Sequence, residues 1–193
     1  MKHPSIRIIH EEHAYLSAIL QSLRMMLRKG PEDDPENYFS VMRAMLFYID
    51  EVPEKQHHIK ETELLFPPVA KRSPHCAEII RQLEDEHAKG ESAVRELQHL
   101  LLAWEILGDS RRTLFEEAML QYADFYSHHM RIEESIILPE ALKVLSEEDW
   151  MDIDAGFAKN RDPLSDSTPR DPIYDRLFTK IVMQAPAPIG LGS

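Results

Sequence analysis

Apolar residues recur every three or four positions along most of the chain, whereas the alternation typical of β-strands is weak. The first such stretch begins near Ile6 and ends at Gly30 and Pro31, two residues that stop helices. A second stretch covers about residues 35–70, and we expect Pro53 to kink this helix or to divide it in two. Both segments are long enough to be the walls of a helical bundle.

Two further stretches have the same spacing. The third opens at Ser73 and Pro74 and closes at Gly108, and the fourth covers about residues 109–144. Long helices that are joined by short loops favour antiparallel neighbours. The pattern therefore predicts an all-α fold, an up-down-up-down four-helix bundle over residues 1–145.

The last part of the chain departs from this pattern. Ser146 and Asp149 have the spacing of a capping box, which predicts a short helix. Residues 159–172 are polar and rich in proline and should form a loop, and residues 173–183 could form one more short helix. The final residues contain too much Pro and Gly for regular structure. We expect residues 146–193 to be a partly irregular C-terminal extension that packs on the bundle.

Charge and composition limit the possible binding partners and the cellular location of the protein. The net charge of −12 argues against binding to nucleic acid or to an anionic membrane, because both require a positive surface. No stretch approaches the roughly 20 consecutive apolar residues that cross a bilayer, and the first residues lack the apolar run of a signal peptide. Cys76 is the only cysteine, so no internal disulfide can form. These features predict a cytoplasmic protein.

A repeated pattern of histidine and glutamate carries the candidate chemistry. The second helix contains HHIKETELLFP, which begins at His57, and the fourth contains HMRIEESIILP, which begins at His129. In both, a glutamate follows four positions later, at Glu61 and Glu133, and a proline follows that glutamate by six. Residues four apart lie on one helix face. An imidazole and a carboxylate so placed can bind one metal ion or a close pair.

The first and third helices add one histidine each. His13 follows two glutamates, and His87 follows an aspartate and a glutamate. Both histidines lie on apolar stripes, where an unpaired polar ring is costly. The chain therefore resembles two helical hairpins of similar design, and pairing them would bring one metal-ligating set to the core. That predicted two-metal set is His13, His57, Glu61, His87, His129 and Glu133.

The helical register leaves one alternative open. His58 and His128 flank the proposed ligands and would replace them if the second and fourth helices were rotated. Equal spacing to the downstream glutamate and proline favours His57 and His129. Three histidines outside the pattern are expected at the surface: His3, His75 and His99.

Nearby carboxylates are further candidates. Glu12 and Glu86 precede the histidines of the first and third helices and belong either to a solvated face or to the ligand set. Glu91 lies four positions after His87 and could also reach the site. Six ligands leave two ions short of full coordination. We therefore predict that Glu86 or Glu91 approaches the metal pair as an additional carboxylate.

The stretch EKQHHIKETELLFP, its second copy and the two additional histidines resemble the hemerythrin-like, or HHE cation-binding, domain. The resemblance covers about residues 5–145. It implies a four-helix bundle around a non-haem di-iron centre, with two iron ions as cofactor and Zn or Mn as substitutes. It also implies that His13, His57, His87 and His129 are terminal ligands and that Glu61 and Glu133 are bridging carboxylates.

The same resemblance implies a metal- or O₂-binding protein rather than a dedicated enzyme, one that senses, stores or carries iron or a diatomic ligand such as O₂ or NO. The alternative is a di-iron redox enzyme, or a protein that repairs iron centres under nitrosative or oxidative stress. Oxygen-carrying members have His-x-x-x-His in the third helix, where this chain has His87 and Glu91. That departure argues against reversible oxygen carriage. The sequence does not determine the oligomeric state, and a homodimer is one option.

Overall fold

Six helices make up almost all of the regular structure in residues 3–32, 34–165 and 171–192, which the computed structural model describes. These residues contain no β-strand, and their only β-type pairing is an isolated bridge between Pro186 and Gly192. The helices are α1 (Pro4–Lys29), α2 (residues 35–72), α3 (Pro74–Leu107), α4 (residues 112–144), α5 (Glu147–Phe157) and α6 (Asp175–Gln184).

Local sequence signals explain where the long helices begin and end. Prolines stand at the first position of α1, α2 and α3, where the missing N–H costs nothing. The side chain of Asp34 caps α2 by accepting a hydrogen bond from the Asn37 N–H. Gly30 and Gly108 follow α1 and α3 with φ of 74° and 86°, a conformation that favours glycine. The predicted boundaries are confirmed at these positions.

Both α2 and α4 contain π-helical turns at the repeated motif. In α2 these are Asp50–His57 and Glu61–Leu65, and in α4 the turn is Glu133–Ile137. Pro53 lies inside the first of them, so α2 continues through it and is not divided. The turns that start at the two motif glutamates end just before the motif prolines, which have no N–H to donate. Wide turns of this kind are common at functional sites.

The four long helices pack side by side, α1 and α3 each contacting α2 and α4. This arrangement confirms the predicted all-α helical bundle. Its interior contains two apolar clusters, one around Leu16, Trp104 and Phe115 and the other around Ile9 and Phe66. His13 lies between Ile9 and Leu16 along α1, so the motif histidines occupy the level between the clusters.

The C-terminal residues rest against the bundle. Ser146 and Asp149 form the predicted capping box at the start of α5, and α5 contributes Trp150 and Phe157 to the second cluster. Ile181 of α6 is buried in the first cluster, and α6 packs on α2. Residues 166–170 of the predicted loop lie outside the described residues. No helix in the described part of the chain combines the length and apolar character that crossing a membrane requires.

Candidate metal centre

The six residues of the predicted set meet in the middle of the bundle, and each is buried. Their histidines form two pairs. The Nε2 atoms of His13 and His57 are 3.0 Å apart, and those of His87 and His129 are 2.9 Å apart. The first pair comes from the α1–α2 hairpin and the second from the α3–α4 hairpin. Four imidazoles therefore converge from four helices, as the repeated motif predicts.

The two carboxylates lie between the histidine pairs. Glu61 places Oε1 3.2 Å from His57 Nε2 and Oε2 3.6 Å from His87 Nε2. Glu133 places Oε1 3.1 Å from His129 Nε2 and Oε2 3.4 Å from His13 Nε2. Each carboxylate thus directs one oxygen toward each pair, which is the geometry that bridges two cations.

These carboxylate oxygens are also poorly satisfied. None of the four oxygens of Glu61 and Glu133 has a hydrogen-bond partner among the described residues, although both side chains are almost fully buried. Buried charge without a partner is expensive, and cations are the usual partners of such oxygens beside imidazoles. The donor set therefore fits a metal centre.

Glutamates on α1 and α3 contact the histidines of α2 and α4 at Nδ1, the ring nitrogen that faces away from the centre. His57 Nδ1 lies 2.6 Å from Glu12 Oε2, and His129 Nδ1 lies 2.8 Å from Glu86 Oε2. A carboxylate on Nδ1 places the ring proton there and leaves Nε2 free to bind a metal. Glu12 and Glu86 are therefore neither part of a solvated face nor directed at the metal-facing nitrogens.

The histidines of α1 and α3 are held by residues of the opposite hairpin. His13 Nδ1 lies 3.0 Å from Glu134 Oε1, and His87 Nδ1 lies 3.0 Å from Thr62 Oγ1. Thr62 and Glu134 directly follow Glu61 and Glu133. The same short segment of each hairpin therefore supplies a carboxylate to the centre and a partner to a histidine across it.

Other candidates lie elsewhere. Glu91 is exposed and forms an ion pair with Arg95, so the structure does not bring it to the centre. His3 was expected at the surface, but it is buried and stacks on Trp150 at 4.1 Å between ring centroids. That contact crosses from the bundle to the extension, which residue spacing does not reveal. Three more histidines outside the set are exposed: His75, His99 and His128.

His58 is buried together with His57 rather than in its place. Its Nδ1 lies 3.0 Å from Glu54 Oε2, and Glu54 Oε1 accepts hydrogen bonds from the hydroxyls of Tyr126 at 2.6 Å and Tyr122 at 2.9 Å. Sequence reasoning did not find this buried network. The spacing of four between Glu54 and His58 was the available signal.

The charges of the centre shift its titration. Burial opposes the charge of His57, but the Glu61 carboxylate and the hydrogen bond that the ring donates to Glu12 outweigh it and raise the pKa of this ring well above its usual value. Burial likewise opposes the charge of His129, and Glu133 outweighs it, raising the pKa to about 9. Metal binding requires neutral imidazole, so a cation that binds here would displace protons.

The chain was also compared with known proteins. The sequence pattern of the hemerythrin HHE cation-binding domain matches residues 5–141, most of the chain. The protein belongs to this family. No curated protein matches the sequence. The family binds metal cations, and the hemerythrin-like bundle seen here contains a His/Glu cluster that could hold them.

Residues beyond the hemerythrin match also reach the centre. Asn160 donates from Nδ2 to both carboxylate oxygens of Glu12, at 2.8 and 2.9 Å. The next residues are tied to α2, because the Arg161 N–H donates to Gln56 and Asp162 accepts a hydrogen bond from the Tyr48 hydroxyl at 2.9 Å. The loop after α5 therefore orients the glutamate that holds His57. Because loops lack periodicity, sequence reasoning did not find this role.

Proposed function

We propose that the protein binds a pair of iron ions at this centre. The observation that carries the proposal is the placement of Glu61 and Glu133, each with one oxygen toward each histidine pair. One ion would be held by the imidazoles of the α1–α2 hairpin and the other by those of the α3–α4 hairpin. Imidazole and carboxylate ligands suit iron, although Zn and Mn can compete for such a site.

We further propose that the centre senses, stores or carries iron or a diatomic ligand such as O₂ or NO. An iron pair supplies the capacity to bind or reduce such ligands. The protein supplies access: a groove of about 750 Å³ between α1 and α4 is lined by His10, His13, Ser17 and Met130, among others. The two apolar clusters lie on either side of the centre along the bundle and keep bulk water from those two sides. The acidic surface and the single, buried cysteine support a cytoplasmic location.

The first test is metal content. Protein from iron-supplemented growth, purified without air, should contain about two iron ions per chain and show the absorption of a non-haem iron centre after oxidation. The double variant Glu61→Gln, Glu133→Gln preserves side-chain size and should lose most of the metal, because it removes both bridging charges. A wild-type protein that neither contains metal nor takes it up on reconstitution would end the proposal.

The alternative is a di-iron redox enzyme or an iron-centre repair protein. The buried Tyr122 and Tyr126 favour redox chemistry, since the Tyr126 ring lies 5.6 Å from that of His129, between centroids. Mixing anaerobic, reduced protein with oxygen in a stopped-flow spectrometer and then lowering the oxygen pressure separates reversible oxygen binding from oxidation of the iron pair. We expect oxidation that does not reverse, as the third-helix departure from the oxygen carriers suggests. Full recovery of the reduced spectrum would instead indicate a carrier.

A further inference from the structure

His58 is a buried histidine at the centre that the two-hairpin pattern does not explain. Its ring stacks on that of His87, with 4.3 Å between centroids and 12° between planes. One of its ligand atoms, together with those of Glu61, His87 and His129, belongs to a group whose members all lie within 4.8 Å of one another. Such a group can surround a single cation.

His58 has the same kind of outer contact at Nδ1 as the other four rings. Each of those histidines has Nδ1 bound to an outer partner and Nε2 close to another ring of the centre. His58 has Nδ1 on Glu54, and Glu54 is itself held by two tyrosine hydroxyls. This outer network leaves Nε2 as the nitrogen available to a metal, which is how proteins orient histidine ligands.

Gly90 shows that the fold makes room for this network. A Cβ at position 90 would lie 1.8 Å from the hydroxyl of Tyr126 and 3.1 Å from Oε1 of Glu54. Only glycine allows α3 to approach the tyrosine so closely. The close approach lets Tyr126 reach Glu54 from α4, and Glu54 in turn fixes His58.

The second hairpin has no counterpart to His58. Aligning HHIKETELLFP with HMRIEESIILP places Met130 opposite His58 and Tyr126 opposite Glu54. Met130 is buried and lines the groove beside His13. The two sides of the centre therefore differ by one imidazole, although the motif that builds them is repeated.

We propose that His58 is a third imidazole ligand of the cation held by His87 and His129, so that the two cation positions are unequal. This inference rests on the proposed function, since it requires two bound ions. The position at His87 and His129 would have three imidazoles and two bridging oxygens, whereas the position at His13 and His57 would have two imidazoles and two bridging oxygens. The cation at His13 and His57 would then have more free coordination sites, and these would face the groove between α1 and α4.

Mössbauer spectroscopy of the full chain loaded with isotopically enriched iron tests the assignment. The wild-type di-ferric protein should show two quadrupole doublets of equal area, one for each position. His58→Ala should change one doublet and leave the other, and should raise the dissociation constant of one iron by about tenfold or more. Met130→Ala is the matched control from the other hairpin and should leave both doublets at their wild-type positions.

Chemical rescue by added imidazole distinguishes two roles for His58. In one it is a metal ligand, and in the other it is a core residue whose only polar contact is the hydrogen bond with Glu54. A pocket of about 200 Å³, lined by His58 and His87 among others, opens the site to small molecules. Added imidazole should restore the altered doublet of His58→Ala. If that variant does not fold, His58→Gln keeps a hydrogen-bonding group toward Glu54 and should show the same single-doublet change.

The outcomes distinguish this inference from the proposed function. Two irons in both wild type and His58→Ala, with identical doublets, would overturn the role of His58 alone. Dissociation constants of both irons in His58→Ala equal to those of the wild type would also overturn it, because a ligand of one iron cannot be removed without weakening its binding. Fewer than two irons in the wild-type protein would overturn the proposed function, and this inference with it.

Discussion

The α1–α2 and α3–α4 hairpins hold their histidines by one rule. In each, the glutamate before the first histidine binds Nδ1 of the second: Glu12 holds His57, and Glu86 holds His129. In each, the residue after the motif glutamate reaches across to the other hairpin: Thr62 contacts His87, and Glu134 contacts His13. The repeated motif therefore gives the two halves of the centre the same pattern of contacts.

The halves differ in what surrounds these contacts. Glu12 is buried and receives two hydrogen bonds from Asn160, whereas Glu86 is partly exposed and receives one from Gln82 of its own helix. The α1–α2 hairpin also supplies an additional buried histidine. The comparison shows that a repeat can bring matching side chains together while the unique parts of the chain give the two halves different surroundings.

The largest effect is expected from removing one motif histidine of either hairpin. His57→Ala and His129→Ala should each lower metal content, and each should reduce stability by about 2–3 kcal/mol when free metal exceeds its dissociation constant roughly 100-fold. Bound metal stabilises only the folded state, so losing it removes that contribution. Elemental analysis and thermal unfolding measure both quantities.

His99→Ala is the control for this pair, because His99 is exposed on α3. It should change neither metal content nor melting temperature. If His128→Ala, at another exposed position, were as damaging as His129→Ala, the helical register described here would be wrong.

Replacing Glu12 or Glu86, the glutamates that contact Nδ1 of a histidine, should weaken metal binding to different extents in the two hairpins. Glu12→Gln and Glu86→Gln both weaken the hold on Nδ1, and changes of this kind typically cost 10–100-fold in metal affinity. We expect the larger loss for Glu12→Gln, because the buried pair with His57 is shielded from solvent that could substitute for the lost contact. Competition with a chromophoric chelator gives both constants. Equal losses of metal affinity would show that Glu12 and Glu86 contribute equally to metal binding.

A smaller effect on metal affinity is expected from Asn160, which contacts Glu12 rather than a histidine. Asn160→Ala should weaken metal binding several-fold, less than Glu12→Gln, because Glu12 remains but loses its two orienting hydrogen bonds. Gln82→Ala removes the corresponding contact of Glu86 and is the matched control. An affinity for Asn160→Ala equal to that of the wild type would mean that the loop after α5 takes no part in positioning the centre.

The smallest effect concerns pH and Asp162, which is buried on the α1–α2 side. Burial raises the pKa of Asp162 to about 6, whereas an unfolded aspartate titrates near about 3.9. The folded protein therefore binds this proton more tightly, and the stability that Asp162 contributes is lost as pH rises from about 4 through about 6. Asp162→Asn should remove a decline of about 2 kcal/mol or less.

Urea unfolding of chelator-treated protein, at about pH 5 and about pH 7.5, measures this difference. Asp152→Asn, at an exposed position of α5, is the control and should retain the decline of the wild type. If Asp162→Asn also retained the full decline, another group would be responsible for it.

Much of the fold was predictable because its signals are local. Helical periodicity, the glycines after α1 and α3 and the capping box at Ser146 each depend on residues within a few positions of one another. The same holds for the motif pairs His57 with Glu61 and His129 with Glu133, since a spacing of four defines a helix face. The π-helical turn at Pro53, through which α2 continues undivided, was not predictable in this way, because the sequence pattern does not distinguish a π-turn from an α-turn.

The sequence by itself thus determined the helices, the family and the six residues that meet in the core. Only the tertiary structure decided that Glu12 and Glu86 hold histidine rings, that Asn160 reaches Glu12 from the extension, and that His58 is buried together with His57 rather than in its place. The physical reason is the range of the contacts. A face of one helix follows from spacing along the chain, whereas these hydrogen bonds and burials depend on how separate helices and a loop pack against one another.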